Sequence, residues 1–172
     1  FSVKGVGSVG VDAIVSESGC AKSSLYNNFE SKEDLALAFL NKREAVWSKD
    51  WLESTVRRMS TTPEGRLLAI FDVFDSWFRE PDFEGCSFIN VMLEAHKDSP
   101  VRVAATRHLA NIRSMICGFA EQAGMVDPQA FAQVWHMLMK GSIVSAGEGY
   151  EAAGKEAKRA ARLVLDSWAR SW

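Results

Sequence analysis

Apolar residues recur along most of the chain at the spacing of one-sided α-helices. After Pro63 they stand three or four residues apart, at Leu67, Ile70, Phe71, Phe74, Trp77 and Phe78. The segments after Pro100 and Pro128, and a last segment around 157–168, repeat this spacing. A period near 3.6 places such residues on one face of a helix. No stretch alternates well enough to predict a strand, so the sequence predicts an all-α protein of about eight helices.

Three of these helices have a recognisable start. Thr62, Ser99 and Asp127 each stand directly before a proline. Their side-chain oxygens can accept a hydrogen bond from a free backbone N–H, and proline suits the first helical position. We therefore predict helices that begin at these three prolines, and a further short helix from about 85 to 95.

The first fifty residues contain shorter elements than the rest. Apolar residues mark one face of a two-turn helix at Val11, Ile14 and Val15. Gly19 can end this helix in a left-handed conformation, and a second short helix is predicted from about Lys22 to Phe29. Ser31 and Asp34 have the spacing of a capping box, which opens a long third helix. Two short helices joined by a glycine-containing turn form a helix-turn-helix.

The second short helix has two different sides. Leu25 and Phe29 share one side of a helical wheel, with Tyr26 at its margin, and small polar residues occupy the other side: Ser23, Ser24, Asn27 and Asn28. The second helix of a helix-turn-helix lies in the DNA major groove, where Asn and Ser can bond to base edges or phosphates. Lys22 and Lys32 stand where phosphates would pass. The same pattern also fits a polar face that is simply solvated. The helical wheel alone does not decide between a DNA-contacting face and a solvated one.

Composition narrows the class of protein. The apolar share of 47% and charged share of 24% are typical of a globular protein, and no apolar run reaches the roughly 18 residues of a membrane span. The three cysteines are far apart without a C-x-x-C motif, which favours a reducing, cytoplasmic location. We find no metal-binding histidine spacing, no paired Glu-x-x-His, no phosphate loop and no catalytic grouping. We therefore expect no metal, no cofactor and no enzymatic activity.

The stretch SVKGVGSVGVDAIVSESGCAKSSLYNNFESKEDLALAFL resembles the DNA-binding region of the TetR family of bacterial transcriptional regulators. The most specific part is the pattern L-Y-x-x-F-x-S-K-E-x-L, which begins at Leu25 and ends at Leu35. A second segment, EGCSFINVMLE from Glu84 to Glu94, is similar to part of the ligand-binding region of one TetR subgroup.

This resemblance implies a homodimer with an N-terminal DNA-binding module and a larger helical part that dimerises and holds an effector. We expect a helix-turn-helix domain at 1–45, with most of its first helix upstream of Phe1, and an effector-binding and dimerisation domain at 46–172. The function implied is a ligand-responsive regulator, most often a repressor released from operator DNA by a small, largely apolar or aromatic effector. The alternative is a helical adaptor that has lost specific DNA binding. The residues implied to contact DNA are Lys22, Ser23, Ser24, Tyr26, Asn27, Asn28 and Lys32.

The chain departs from the family pattern in three features. Ala21 stands where the recognition helix usually has a capping Ser or Thr, and Asn28 stands where the family often has His. The Thr common at the start of the preceding helix is absent around Gly10 and Val11. In addition, the first forty-nine residues carry as many acidic as basic side chains: Asp12, Glu17, Glu30, Glu33, Asp34 and Glu44 against Lys4, Lys22, Lys32, Lys42, Arg43 and Lys49. The module is therefore neutral.

Large apolar side chains are frequent on the inward faces of the later helices. They could line a pocket for an apolar or aromatic molecule, or form an ordinary core. The candidate effector-binding residues are Phe74, Trp77, Phe78, Phe88, Met92, Phe119, Trp135 and Met139. The last two helices are expected to pair with their mates in a four-helix bundle, by the same resemblance. The candidate dimer-interface residues are Trp135, Leu138, Ser142, Ser145, Val164 and Trp168.

Overall fold

The computed structural model describes residues 9–171, without the side chains of 48–50. Within that range the prediction of an all-α protein is confirmed, and the one β-bridge pairs Met125 with Arg170. The helices are α1 (Val11–Ser18), α2 (Lys22–Asn28), α3 (Lys32–Glu44), the π-helix π1 (Ala45–Glu53), α4 (Ser54–Met59), α5 (Pro63–Trp77), α6 (Ser87–Glu94), α7 (Pro100–Gln122), α8 (Pro128–Gly147) and α9 (Ala153–Ser167). Residues 1–8, which belong to the expected helix-turn-helix domain, lie outside the described residues.

The predicted helix starts are confirmed, and their side chains act as expected. The side-chain oxygens of Thr62, Ser99 and Asp127 accept hydrogen bonds from the backbone N–H three residues further on, at 3.1, 3.3 and 3.0 Å. Gly19 ends α1 with a φ of 66°, in the left-handed region that glycine adopts without strain. Local chemistry therefore determines where these helices begin and end.

The helix that begins at Lys32 changes its hydrogen-bonding pattern before it ends. The sequence predicts one long helix there, but α3 passes into π1 at Ala45, and α4 then continues to Met59. A π-helix pairs each backbone N–H with the carbonyl five residues back rather than four. Apolar periodicity does not reveal this change, because both helix types bury a stripe of residues along one side.

The chain divides into two compact units. Of the described residues, the first unit contains 9–45 and 86–109, and the second contains 46–85 and 110–171. Residues 86–109 thus belong to the same compact unit as the helix-turn-helix, although the domain boundaries expected from the sequence place them with the effector region. The assignment of DNA binding to 1–45 and of effector binding to 46–172 stays a prediction.

The second unit is built around α5, α8 and α9. Trp135 of α8 packs edge-on against Phe71 of α5 and stacks on Phe131, with ring centroids 5.5 and 5.0 Å apart. Lys158 of α9 forms an ion pair with Asp72 of α5 at 2.6 Å. No helix within residues 9–171 is long and apolar enough to cross a lipid bilayer.

Candidate DNA-binding interface and aromatic cluster

The second helix of the helix-turn-helix is held by its apolar side. Leu25 is buried with 9% of its surface exposed, and Phe29, which follows α2, is half-buried. The opposite side is open to solvent at Lys22, Ser23, Ser24, Tyr26, Asn27 and Asn28. Tyr26 is 51% exposed, so it belongs to the polar side although the wheel places it at the margin. This arrangement gives α2 the free polar face that contact with DNA requires.

Two of the candidate DNA-contacting side chains already have partners within the chain. Lys22 Nζ forms an ion pair with Asp12 Oδ1 at 2.7 Å, and this hydrogen bond and the charge of Asp12 raise the pKa of Lys22. Asn28 Nδ2 donates a hydrogen bond to the Ser24 carbonyl oxygen at 2.8 Å. The amide of Asn28 is therefore engaged by its own helix, whereas Asn27 extends from the exposed face.

The starts of α2 and α3 are stabilised differently. Ala21 provides no side-chain cap for α2, as expected. At α3, Ser31 Oγ accepts a hydrogen bond from the Asp34 N–H at 3.0 Å. The Asp34 carboxylate in turn accepts from the Glu30 N–H at 3.3 Å, one residue earlier than a standard capping box uses. Lys32, the candidate phosphate contact at the first position of α3, is half-buried.

A buried histidine lies in the core of the first unit. The ring of His108 stacks on Phe88 with centroids 3.4 Å apart and an interplanar angle of 12°, and its Nδ1 lies 3.8 Å from Glu44 Oε1. Burial lowers the pKa of His108 to about 4, although the charge of Glu44 acts in the opposite direction. The imidazole is therefore neutral near pH 7. Sequence reasoning missed this packing because His108 has an ordinary position on the apolar face of α7.

The candidate effector residues Phe88 and Met92 belong to the first unit, and the other six belong to the second. Because Phe88 is 2% exposed and stacked on His108, it is a core residue. Its role in binding an effector stays a prediction. Met92 is half-buried on α6.

Three other effector candidates, Phe74, Trp77 and Phe78, do come together. They form what we call the aromatic cluster with three further rings, so that its members are Trp47, Trp51, Phe74, Trp77, Phe78 and Phe83. Neighbouring ring centroids in the cluster are 4.9–6.1 Å apart. Phe74 and Trp77 are buried, whereas the other four rings are half-buried and present aromatic surface to solvent. Phe83 escaped prediction because it lies between α5 and α6, where no helical period marks it.

The remaining effector candidates are packed into the core of the second unit. Phe119, Trp135 and Met139 have at most 2% of their surface exposed. The guanidinium groups of Arg57 and Arg66 lie 5.0 and 5.8 Å from the ring centroid of Phe119. These three residues are parts of the protomer core.

Two of the candidate dimer-interface residues are also buried within the protomer. Trp135 is fully buried, and Ser142 is 4% exposed and donates a hydrogen bond to the Met139 carbonyl oxygen at 2.7 Å. Their side chains pack inside the protomer, and their contact with a partner chain stays a prediction. Helical period shows which residues share a face, but not whether that face lies against the core or outside it. The other four candidates are half-buried: Leu138, Ser145, Val164 and Trp168.

The solvent-facing side of the last two long helices carries apolar residues that sequence reasoning did not select. Met137 and Val144 of α8 are 57% and 53% exposed, and Leu163 of α9 is 68% exposed. Between Met137 and Val144, Gly141 is exposed and a Cβ added there meets nothing within 4 Å. We call the exposed sides of α8 and α9 that carry these residues the α8–α9 face.

Comparison with known proteins shows which family this geometry resembles. Residues 1–39 match the family model for bacterial regulatory proteins of the tetR family. A TetR-family transcriptional regulator from Streptomyces coelicolor superposes with a TM-score of 0.88 at 25% identity, over 96% of this chain and 88% of that one. The chain is thus similar to TetR-family regulators in sequence over residues 1–39 and in fold over nearly its whole length. No curated protein sequence matches it.

Two more solved structures have a similar fold. A chain from Streptomyces avermitilis described as a TetR transcriptional regulator has a TM-score of 0.80 at 26% identity, over 95% of this chain and 89% of that one. A TetR-family transcriptional regulator from Cytophaga hutchinsonii has a TM-score of 0.81 over 99% and 90% of the two chains, and at 21% identity it shows the fold. TetR-family regulators are transcription factors that bind DNA as dimers without catalysis, and the similarity to them bears out the non-enzymatic prediction.

Proposed function

We propose that this protein is a TetR-family transcriptional repressor that leaves its operator when a small, largely apolar or aromatic effector binds. The observation that carries the DNA-binding part is the two-sided helix α2. Its Leu25 is buried, and its Ser23, Tyr26 and Asn27 are exposed in the position of a recognition helix. A protein of this type acts in the cytoplasm, and its three free cysteines suit that reducing compartment.

The aromatic cluster is the most suitable place for the effector. A core aromatic residue normally loses nearly all its exposure, yet Trp47, Trp51, Phe78 and Phe83 keep part of theirs beside buried Trp77. An apolar or aromatic molecule placed against these rings would remove that surface from water and stack in the geometries that aromatic pairs prefer. Two of the rings stand on π1, and π-helical segments are frequent at functional sites.

We also infer that two copies pair through the α8–α9 face. Met137, Val144 and Leu163 supply exposed apolar surface, and Gly141 leaves room for a close approach. Half-buried Leu138 and Ser145 border the same side of α8. A symmetric pair formed in this way would be a four-helix arrangement, in which each face meets its own copy.

DNA selection followed by a binding measurement tests this function. The full chain is incubated with random-sequence duplexes, bound duplexes are enriched over several rounds, and the selected duplex is titrated by fluorescence anisotropy at a stated salt concentration. We expect a selected duplex to bind at least about a thousandfold more tightly than a random duplex of equal length. Failure to enrich any sequence would favour the helical adaptor instead.

Tryptophan emission provides the test for the effector. A panel of planar aromatic and aliphatic compounds is titrated into the protein, with Trp47→Phe and Trp51→Phe variants in parallel. A compound that binds the aromatic cluster should quench emission, lose much of its quenching in those variants, and release the selected duplex. Trp135→Phe is the matched control, because Trp135 lies in the closed core. Quenching that depends on Trp135 alone would place the effector elsewhere.

A further inference from the structure

The only charged residue of α2 is already neutralised in the free protein. Lys22 Nζ lies 2.7 Å from Asp12 Oδ1, which joins the first turn of α2 to the first turn of α1. Both side chains are largely exposed, at 56% for Lys22 and 87% for Asp12. Exposed ion pairs contribute little to folding, because water screens them and the side chains lose freedom. The ion pair therefore matters less for stability than for the binding of Lys22 to other anionic groups.

We propose that Asp12 is a specificity-determining residue, whose carboxylate competes with DNA phosphates for Lys22 and so lowers affinity for DNA of arbitrary sequence. This inference rests on the proposed DNA-binding function. Contacts between lysine and phosphate supply most of the sequence-independent affinity of DNA-binding proteins. With Lys22 neutralised, α2 offers mainly Ser23, Ser24 and Asn27, which can bond to base edges as well as to the backbone. Base contacts then decide whether α2 binds.

The local structure gives the pair a second reason to form in the free protein. Ala21 supplies no side-chain cap, and a lysine at the first position of a helix stands near the positive end of the helix dipole. The Asp12 carboxylate places a negative charge beside that position. In the DNA complex a phosphate can take its place, since both side chains are exposed and a rotation of Lys22 is enough for the exchange.

Substitution of Asp12 by asparagine tests the competition. The full-chain Asp12→Asn variant is titrated by fluorescence anisotropy with a random-sequence duplex and with the selected duplex, over a range of salt concentrations. Removal of one unit of charge at contact distance in water corresponds to about a fivefold change in affinity. We expect the random duplex to bind about fivefold more tightly and the selected duplex to gain less. The slope of log affinity against log salt should become steeper by about one.

Two further variants show whether Lys22 mediates the effect. Glu17→Gln removes an exposed carboxylate from the same helix that does not pair with Lys22, and it should leave the random-duplex affinity nearly unchanged. In a Lys22→Gln background, Asp12→Asn should lose its effect. An equal gain with and without Lys22, or no gain at all while wild type binds DNA, would overturn the proposal. If wild type binds neither duplex, the proposed function fails, and this inference fails with it.

Discussion

At the scale of single residues, two neighbouring asparagines on α2 differ in how available their side-chain amides are to DNA. Asn28 Nδ2 donates a hydrogen bond to the Ser24 carbonyl oxygen at 2.8 Å, so its amide is directed to its own helix. Asn27 is exposed on the side of α2 opposite buried Leu25. An asparagine amide can form two hydrogen bonds with an adenine edge only if it can turn to the base.

We therefore predict that Asn27→Ala weakens binding to the selected duplex more than Asn28→Ala does. Loss of a two-bond contact with a base costs about 1–3 kcal/mol, whereas loss of an exposed intrahelical bond costs a fraction of that. Anisotropy titrations of both variants at one salt concentration measure the difference. Equal losses for the two variants would show that Asn28 leaves its helix to contact DNA.

His108 gives a residue-level prediction on pH. Its folded pKa is about 4, below the ordinary 6.5, because the ring is buried. Between those values the unfolded chain binds the proton and the folded chain does not. Stability from the neutral ring is thus complete above pH 6.5 and lost as the pH falls towards 4. At about 1.36 kcal/mol per pH unit, the loss approaches 3 kcal/mol.

Chemical denaturation at a series of pH values measures this loss. His108→Phe should flatten the dependence of the unfolding free energy between pH 6.5 and 4, because it removes the titrating group but keeps a ring against Phe88. His96→Gln is the control, since His96 is exposed and should leave the dependence unchanged. If the slope persists in His108→Phe, other titrating groups cause the pH dependence of the unfolding free energy.

At the scale of helices, close packing depends on small residues at particular positions. Gly154, at the start of α9, faces α5 so closely that an added Cβ would lie 2.6 Å from Asp75 Cβ and 2.7 Å from Asp75 Cα. Gly118 stands inside α7, and nothing lies within 4 Å of a Cβ added there. Both glycines belong to the second unit, but only one of them is required by a neighbour.

We predict opposite effects of alanine at these two glycines. Gly154→Ala should lower the free energy of unfolding by about 1–3 kcal/mol, because a backbone atom of α5 would have to move. Gly118→Ala should raise it by about 0.5–1 kcal/mol, because alanine loses less backbone freedom than glycine in a helix. Urea denaturation of the two variants compares them. A stabilising Gly154→Ala would mean that α9 moves away from α5 at little cost.

At the scale of the whole molecule, the assembly is decided by which apolar surface stays open. The α8–α9 face exposes Leu163 by 68%, and Leu93 of α6 in the first unit is exposed by 71%. Exposure alone does not distinguish an interface from a solvated side chain. The α8–α9 face differs because Met137 and Val144 add apolar surface to it and Gly141 permits close approach.

Leu163→Arg should therefore convert the dimer to a monomer at micromolar concentration. A charge buried in an apolar interface without a partner is costly, and the dissociation constant should rise by at least tenfold. Sedimentation velocity measures the change. Leu93→Arg is the matched control and should stay dimeric. A dimer that tolerates Leu163→Arg but not Leu93→Arg would place the interface on the first unit.

Local chemistry allowed much of this architecture to be predicted. The side chains of Thr62, Ser99 and Asp127 cap helices where expected, and Gly19 ends α1 in the left-handed conformation. The polar side of α2 is exposed as its wheel indicated. These features depend on interactions within a few residues, so the order of residues is enough to predict them. The match of 1–39 to the TetR family supports the same reading.

The tertiary structure decided which members of an apolar stripe are core and which stay open. By periodicity alone, Trp135 and Phe88 are candidates for a pocket, yet they pack against Phe131 and His108 in the core. Phe83 belongs to the aromatic cluster although it lies outside any helix. The pairing of Lys22 with Asp12 likewise depends on the approach of two helices. Helical period determines the direction in which a side chain points from the axis of its own helix. What it meets depends on residues distant in sequence, which only the folded chain brings together.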